Sequence, residues 1–96
     1  MALKLLPYDS ADLIETEEDI LMYLEIAMEG NDPKHIARAL GTVARSKGMT
    51  EIAKRTGLGR QALYNALSEN GNPTLETLTL VLSALGLELT VQKKAA

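Results

Sequence analysis

The stretch MTEIAKRTGLGRQALYNALS, residues 49–68, joins two short helical runs through Gly57-Leu58-Gly59 and nothing else. With helices over 50–56 and 60–68, Ile52 and Ala53 point into the angle between them, and the small Ala53 lets the second helix approach closely. Gly57 follows the first run, where a left-handed residue is cheapest without a side chain. Leu58 becomes the apolar plug of the turn, and Leu63, Ala66 and Leu67 the buried face of the second helix. Two helices on a tight glycine-containing turn form a helix-turn-helix arrangement.

The rest of the chain reads as support for this unit. Thr16 precedes Glu17, Glu18 and Asp19, a cap followed by acids in a first turn, where the helix dipole favours them. Ile20, Leu21, Leu24, Ala27 and Met28 then recur at helical spacing until Gly30-Asn31. Asp32-Pro33 opens the next helix, with Ile36, Leu40, Val43 and Ala44 as its buried stripe and Lys47-Gly48 as its close. Asn70-Gly71-Asn72-Pro73 is a turn cluster, and Thr74 caps a last helix whose Leu75, Leu78, Val81, Leu82 and Leu85 are expected inward. Leu87 to Gln92 alternates apolar and polar, which predicts a strand over 87–91; a lone strand needs a partner, and a second copy is a natural one. Residues 1–8 show no period, Asp9 to Ile14 reads as a turn, and Lys93 to Ala96 as a frayed tail. Phe, Trp and Cys are absent from the 96 residues, so the core must be aliphatic, and a core of this size gains from dimerisation.

The outer face of the second short helix carries Gly59, Arg60, Gln61, Tyr64, Asn65 and Ser68. Arg pairs bidentately with guanine and Gln or Asn with adenine, while a Tyr or Ser hydroxyl can hold a phosphate. Charge divides along the chain. Residues 1–31 carry eight acids against Lys4 alone, whereas residues 32–96 carry five acids and nine bases. A polyanion fits the second part; the first either docks a basic partner or turns DNA away from the wrong face. The division expected is an acidic helical segment over 1–31 and a helix-turn-helix DNA-binding domain over 32–96, folded as a single compact unit. The bases Arg45, Lys47, Lys54 and Arg55 also fit an ordinary solvated face.

Other classes find little support. His35 is the single histidine and has no partners at ligand spacing. The acids at 15–19 lack the spaced oxygens and glycine of a calcium loop. Tyr8 and Tyr23 read as core or rim. No Ser-His-Asp set, phosphate loop or carboxylate–base pair is visible, so no enzyme, metal or cofactor is expected. Without cysteine, a signal peptide or an apolar run near the roughly 20 residues of a membrane span, the expectation is a soluble cytoplasmic protein.

The segments GMTEIAKRTGL, ALYNALSENGNPTLETL and LGLEL, with the earlier PYDSADLIETEEDILMYLEIAMEG, resemble the addiction-module antidote proteins. These are Xre/Cro-like helix-turn-helix antitoxins of bacterial and prophage type II toxin–antitoxin pairs, and the resemblance runs from about Tyr8 to Gln92. It implies a homodimer that binds its own operator and represses its own operon, and a cognate toxin that is small, basic and a ribosome-dependent ribonuclease. Carried over by position, Arg60, Gln61, Tyr64 and Asn65 would read bases, and Thr50, Lys54, Arg55 and Ser68 would meet phosphates. The family usually has Ser where Gly59 stands, so a capping or phosphate contact there is missing or made by backbone. The expected fold is all-α, a five-helix lambda-repressor-like helix-turn-helix domain with a short C-terminal β-strand. A stand-alone prophage-type repressor, or an interaction module that keeps the shape without reading DNA, are the alternatives.

Overall fold

The computed structural model describes residues 13–68 and 70–94. Five helices follow in order: α1, Glu17–Met28; α2, Pro33–Lys47; α3, Met49–Thr56; α4, Arg60–Ala66; and α5, Leu75–Ala84. Their ends are written in side-chain chemistry. Thr16 Oγ1 accepts from the Asp19 N–H at 3.0 Å, and the Asp19 carboxylate accepts in return from the N–H groups of Glu15 and Thr16, both at 3.0 Å. This reciprocal arrangement is a capping box. It holds the Asp19 carboxyl below the usual carboxylate range, first through the Glu15 N–H and then the Thr16 N–H. Asp32 accepts from the Lys34 N–H at 2.9 Å, with Pro33 as the first helical residue. Thr74 accepts from the Thr77 N–H at 3.1 Å.

Helix α2 is the centre of the molecule. Residues 39–44 are buried without a break, because neighbours cover several sides of this helix. It packs against α1 and α3, and α3 in turn packs against α4 and α5. Leu40 and Val43 of α2 share one cluster with Ile20 and Leu24 of α1, Ile52 of α3, Leu63 and Leu67 at α4, and Val81 and Leu82 of α5. Burying a side chain of this size contributes about 1.5–3 kcal/mol. The buried Thr42 hydroxyl is satisfied within its own helix, donating to the Arg38 carbonyl at 3.1 Å.

A single residue joins α2 to α3. Gly48 is both the C-cap of one and the N-cap of the other, with φ 103° and ψ 117°, a backbone region that side chains rarely adopt. Gly41 serves closeness instead. A Cβ built there would meet the carbonyl oxygen of Leu67, so the missing side chain lets the end of α4 lie directly on α2.

Three expectations are corrected. There is no strand over 87–91: among the described residues every regular element is a helix, and residues 87–94 are irregular. Alternation describes side chains, but a strand needs a ladder of backbone partners, and the chain offers none here. Instead the Leu87 N–H folds back on the Leu82 carbonyl at 2.8 Å, while Leu89 is 48% and Val91 94% exposed. The expected five-helix lambda-repressor-like helix-turn-helix domain with a short C-terminal β-strand is therefore replaced by five helices and an irregular C-terminal segment. Leu75 does not face inward but is 67% exposed, while Leu78, Val81, Leu82 and Leu85 do contribute to the core. Helix α4 ends at Ala66, with Leu67 as its cap, rather than at 68. The run 1–8, the turn expected over 9–14 up to residue 12, and the last two residues of the tail lie outside the described residues.

Candidate nucleic-acid interface

The turn between α3 and α4 forms as its glycine demands. Gly57 sits in the left-handed region at φ 77° and ψ 8°, and its N–H closes α3 onto the Ala53 carbonyl at 2.9 Å. Thr56 Oγ1 donates to the Ile52 carbonyl at 2.8 Å and accepts from the Leu58 N–H at 3.2 Å, which fixes the first residue after the glycine. Leu58 is half-buried against the core. Gly59 starts α4 in extended backbone with no side-chain cap. Leu63, fully buried, then pins α4 by one face.

The opposite face of α4 is exposed and polar, and its residues are ordered in pairs one turn apart. The Arg60 guanidinium lies over the Tyr64 ring, 5.8 Å from its centroid, a cation–π distance. Gln61 Nε2 donates to Asn65 Oδ1 at 3.2 Å. That bond uses one donor of Gln61 and one acceptor of Asn65, which leaves the Gln61 carbonyl oxygen as an acceptor and the Asn65 amide nitrogen as a donor on two exposed residues. Adenine shows the complementary N7 acceptor and N6 donor in the major groove. Ser68 lies just past the helix end and donates to the Asn65 carbonyl at 3.0 Å. These contacts restrict long side chains before any ligand arrives, which lowers the entropy cost of binding.

Helix α3 divides the remaining candidates. Thr50 and Lys54 are exposed and one turn apart. Arg55 is tethered: its Nε donates to the Glu51 carboxylate at 2.8 Å, and its Nη1 to the Ala84 carbonyl at 3.1 Å. The bond from Arg55 and then its charge hold the Glu51 carboxyl below the ordinary range. Arg55 therefore ties α3 to the last turn of α5, where unpaired carbonyls favour a cation, and it is turned toward α5 rather than grouped with α4.

Arg45, one of the scattered bases of the sequence, borders the site. It lines a small pocket of about 90 Å³ with Gly41, Met49, Tyr64, Leu67 and Ser68, and its Nη2 reaches Thr42 Oγ1 at 3.4 Å. Its one sequence signal is its place in the last turn of α2, three residues before Gly48. Over residues 45–68 the chain carries five bases and the single acid Glu51, so this stretch of the chain is basic.

Comparison with known proteins adds the family. The family model described as "Probable addiction module antidote protein" matches residues 4–93, which takes in all five helices. The chain belongs to the addiction module antidote proteins. A Haemophilus influenzae protein described as uncharacterized is 39% identical over 93 residues, covering 97% of this chain and 96% of the relative. No solved structure gives a significant match. Membership in an antidote family points to an antitoxin with a cognate toxin as partner, and to a regulatory role rather than an enzymatic one. No helix among the described residues is long and apolar enough to cross a membrane.

Proposed function

We propose that this antidote binds operator DNA as a homodimer through the helix-turn-helix of α3 and α4, represses its own operon, and neutralises a small basic ribonuclease-type toxin. The observation that carries the DNA reading is the α4 face: Arg60 stacked on Tyr64 beside a hydrogen-bonded Gln61–Asn65 pair, on a helix anchored from behind by Leu63. Arg60, Gln61 and Asn65 read base edges in the major groove. Tyr64, Ser68, Thr50 and Lys54 meet the phosphates, with Arg45 at the border, while Gly59 lets the backbone come near. Arg55 contributes charge and holds α3 in place. Two such helices in a dimer fall in successive major grooves, about 34 Å apart. The Xre/Cro-like character of the pair rests on the same turn.

The test is fluorescence anisotropy of the purified protein with duplex DNA from just upstream of its own gene, against a scrambled duplex, over a salt series. Tight sequence-dependent binding is expected, weakening by about 0.9 decades per decade of salt for each phosphate neutralised. Arg60→Ala should cost about 1–3 kcal/mol of discrimination at the base it reads. Equal, weak binding to both duplexes, with indifference to Arg60→Glu, would overturn the DNA reading and favour an interaction module on the same fold.

A further inference from the structure

Helix α1 is amphipathic only on its inner side. Ile20 and Leu24 are buried against α2, but the outer half of the helix carries Met22 and Ile26, each 61% exposed, and Leu21, 45% exposed. Glu18, Glu25 and Glu29 stand between them at spacings of three and four residues, so acids and apolar side chains share one continuous face. Next to Leu21 this face runs into a groove of about 290 Å³ between the start of α1 and the end of α5, floored by Ile20, Leu85 and Leu87 and rimmed by Glu17 and Glu18. Contiguous exposed apolar surface marks interaction sites, and methionine adapts its shape to a partner surface.

Charge decides the occupant. From residue 13 to residue 33 the chain carries seven acids and no base. A second copy presenting the same face would set like charges against like, and DNA or an anionic membrane would be repelled. What fits is a cationic protein surface with apolar side chains among its lysines and arginines. We infer that the outer face of α1, with the adjoining α1–α5 groove, is the docking surface for the cognate toxin. This rests on the antitoxin reading and gives it a location. An apolar side chain of the toxin seats in the groove or on the Met22–Ile26 ridge, and its bases pair with Glu18, Glu25 and Glu29.

The experiment uses the full-length chain and, as the candidate toxin, the product of the reading frame adjoining its gene, with binding followed by titration calorimetry at two salt concentrations. Two variants separate the contributions. Met22→Gln with Ile26→Gln removes the apolar ridge but keeps good helix formers; Glu18→Gln with Glu25→Gln and Glu29→Gln removes the charge. Both sets lie on the exposed side, and far-UV circular dichroism checks that each variant folds. The first is expected to weaken toxin binding by about tenfold or more, and the second to weaken it and flatten its salt dependence. Wild-type affinity in both variants would overturn the inference and leave the antitoxin reading standing. Failure of the wild-type chain to bind the neighbouring protein would overturn both. Loss of the homodimer in the first variant, read by light scattering, would assign the face to a second copy and overturn the docking proposal.

Discussion

Gly41→Ala tests how α4 is held. In a helix interior, alanine is favoured over glycine by about 1 kcal/mol, so propensity alone makes this a stabilising change. The packing argues the reverse. The new methyl group would press on the carbonyl oxygen of Leu67, with that residue's carbonyl carbon at 3.4 Å and its Cβ at 3.5 Å. Overpacking of this kind costs about 1–3 kcal/mol. The upper end applies, because a carbonyl at the end of α4 moves only if the helix moves with it, whereas a side chain could rotate away. Subtracting the propensity gain leaves a net loss of about 2 kcal/mol. For a chain of this size that is about 8–16 °C in Tm, at about 4–8 °C per kcal/mol. Thermal unfolding by circular dichroism at fixed protein concentration measures it. A Tm equal to or above that of the unchanged chain would refute the close approach of α2 and α4. Because Leu67 caps the helix that carries Arg60 and Gln61, the operator affinity proposed for this chain, measured below the melting range, should fall as well.

Other outcomes follow from the same geometry. Gly57→Ala has open space around it but keeps φ at 77°, so it should destabilise by about 1–2 kcal/mol in chemical denaturation, with no clash to relieve. Thr16→Ala removes the cap of α1 and should cost about 1 kcal/mol, with amide exchange quickening first in residues 17–20. Acid should loosen the same turn: the Asp19 carboxyl titrates lower folded than unfolded, so its stabilisation is complete above the unfolded value. That contribution is lost as pH falls through the folded one, below 3.8. Asp19→Asn should lack this acid step when α1 is followed by NMR across it. Gly59→Ser, in open extended backbone, should stabilise by a few tenths of a kcal/mol through a new cap, and a lower Tm would contradict the absence of neighbours there.

The starts of α1, α2 and α5 and the junctions after α2 and α3 were legible because each is marked by a residue whose chemistry acts locally: Thr16, Asp32-Pro33, Thr74, Gly48 and Gly57; the end of α4 carries no such mark. The strand was not, because what decides it is a partner, and alternation at Leu87, Leu89 and Val91 carries no information about whether one exists. Leu75 shows the same limit on a smaller scale. Periodicity gives the direction a side chain takes from its helix but not whether a neighbour reaches it. In the candidate interface, the outward residues of α4 followed from the buried position of Leu63. The tether of Arg55 to Ala84 and the nearness of Arg45 to Tyr64 and Ser68 are contacts between elements 19 to 29 residues apart in sequence, which no local pattern encodes.

Gly48 makes α2 and α3 two arms of a lever with one residue as pivot. Helix α3 spans eight residues, about 12 Å at about 1.5 Å per residue. A turn of about 10° about the Gly48 dihedrals would carry the far end of α3, and α4 after it, by about 2 Å. A hydrogen bond to a base edge tolerates only a few tenths of an ångström. On the proposed DNA reading, Gly48 thus sets the aim of α4 together with the Leu63 and Leu67 contacts, and a force applied to α2 from the α1 side would reach a bound groove as an error in pointing.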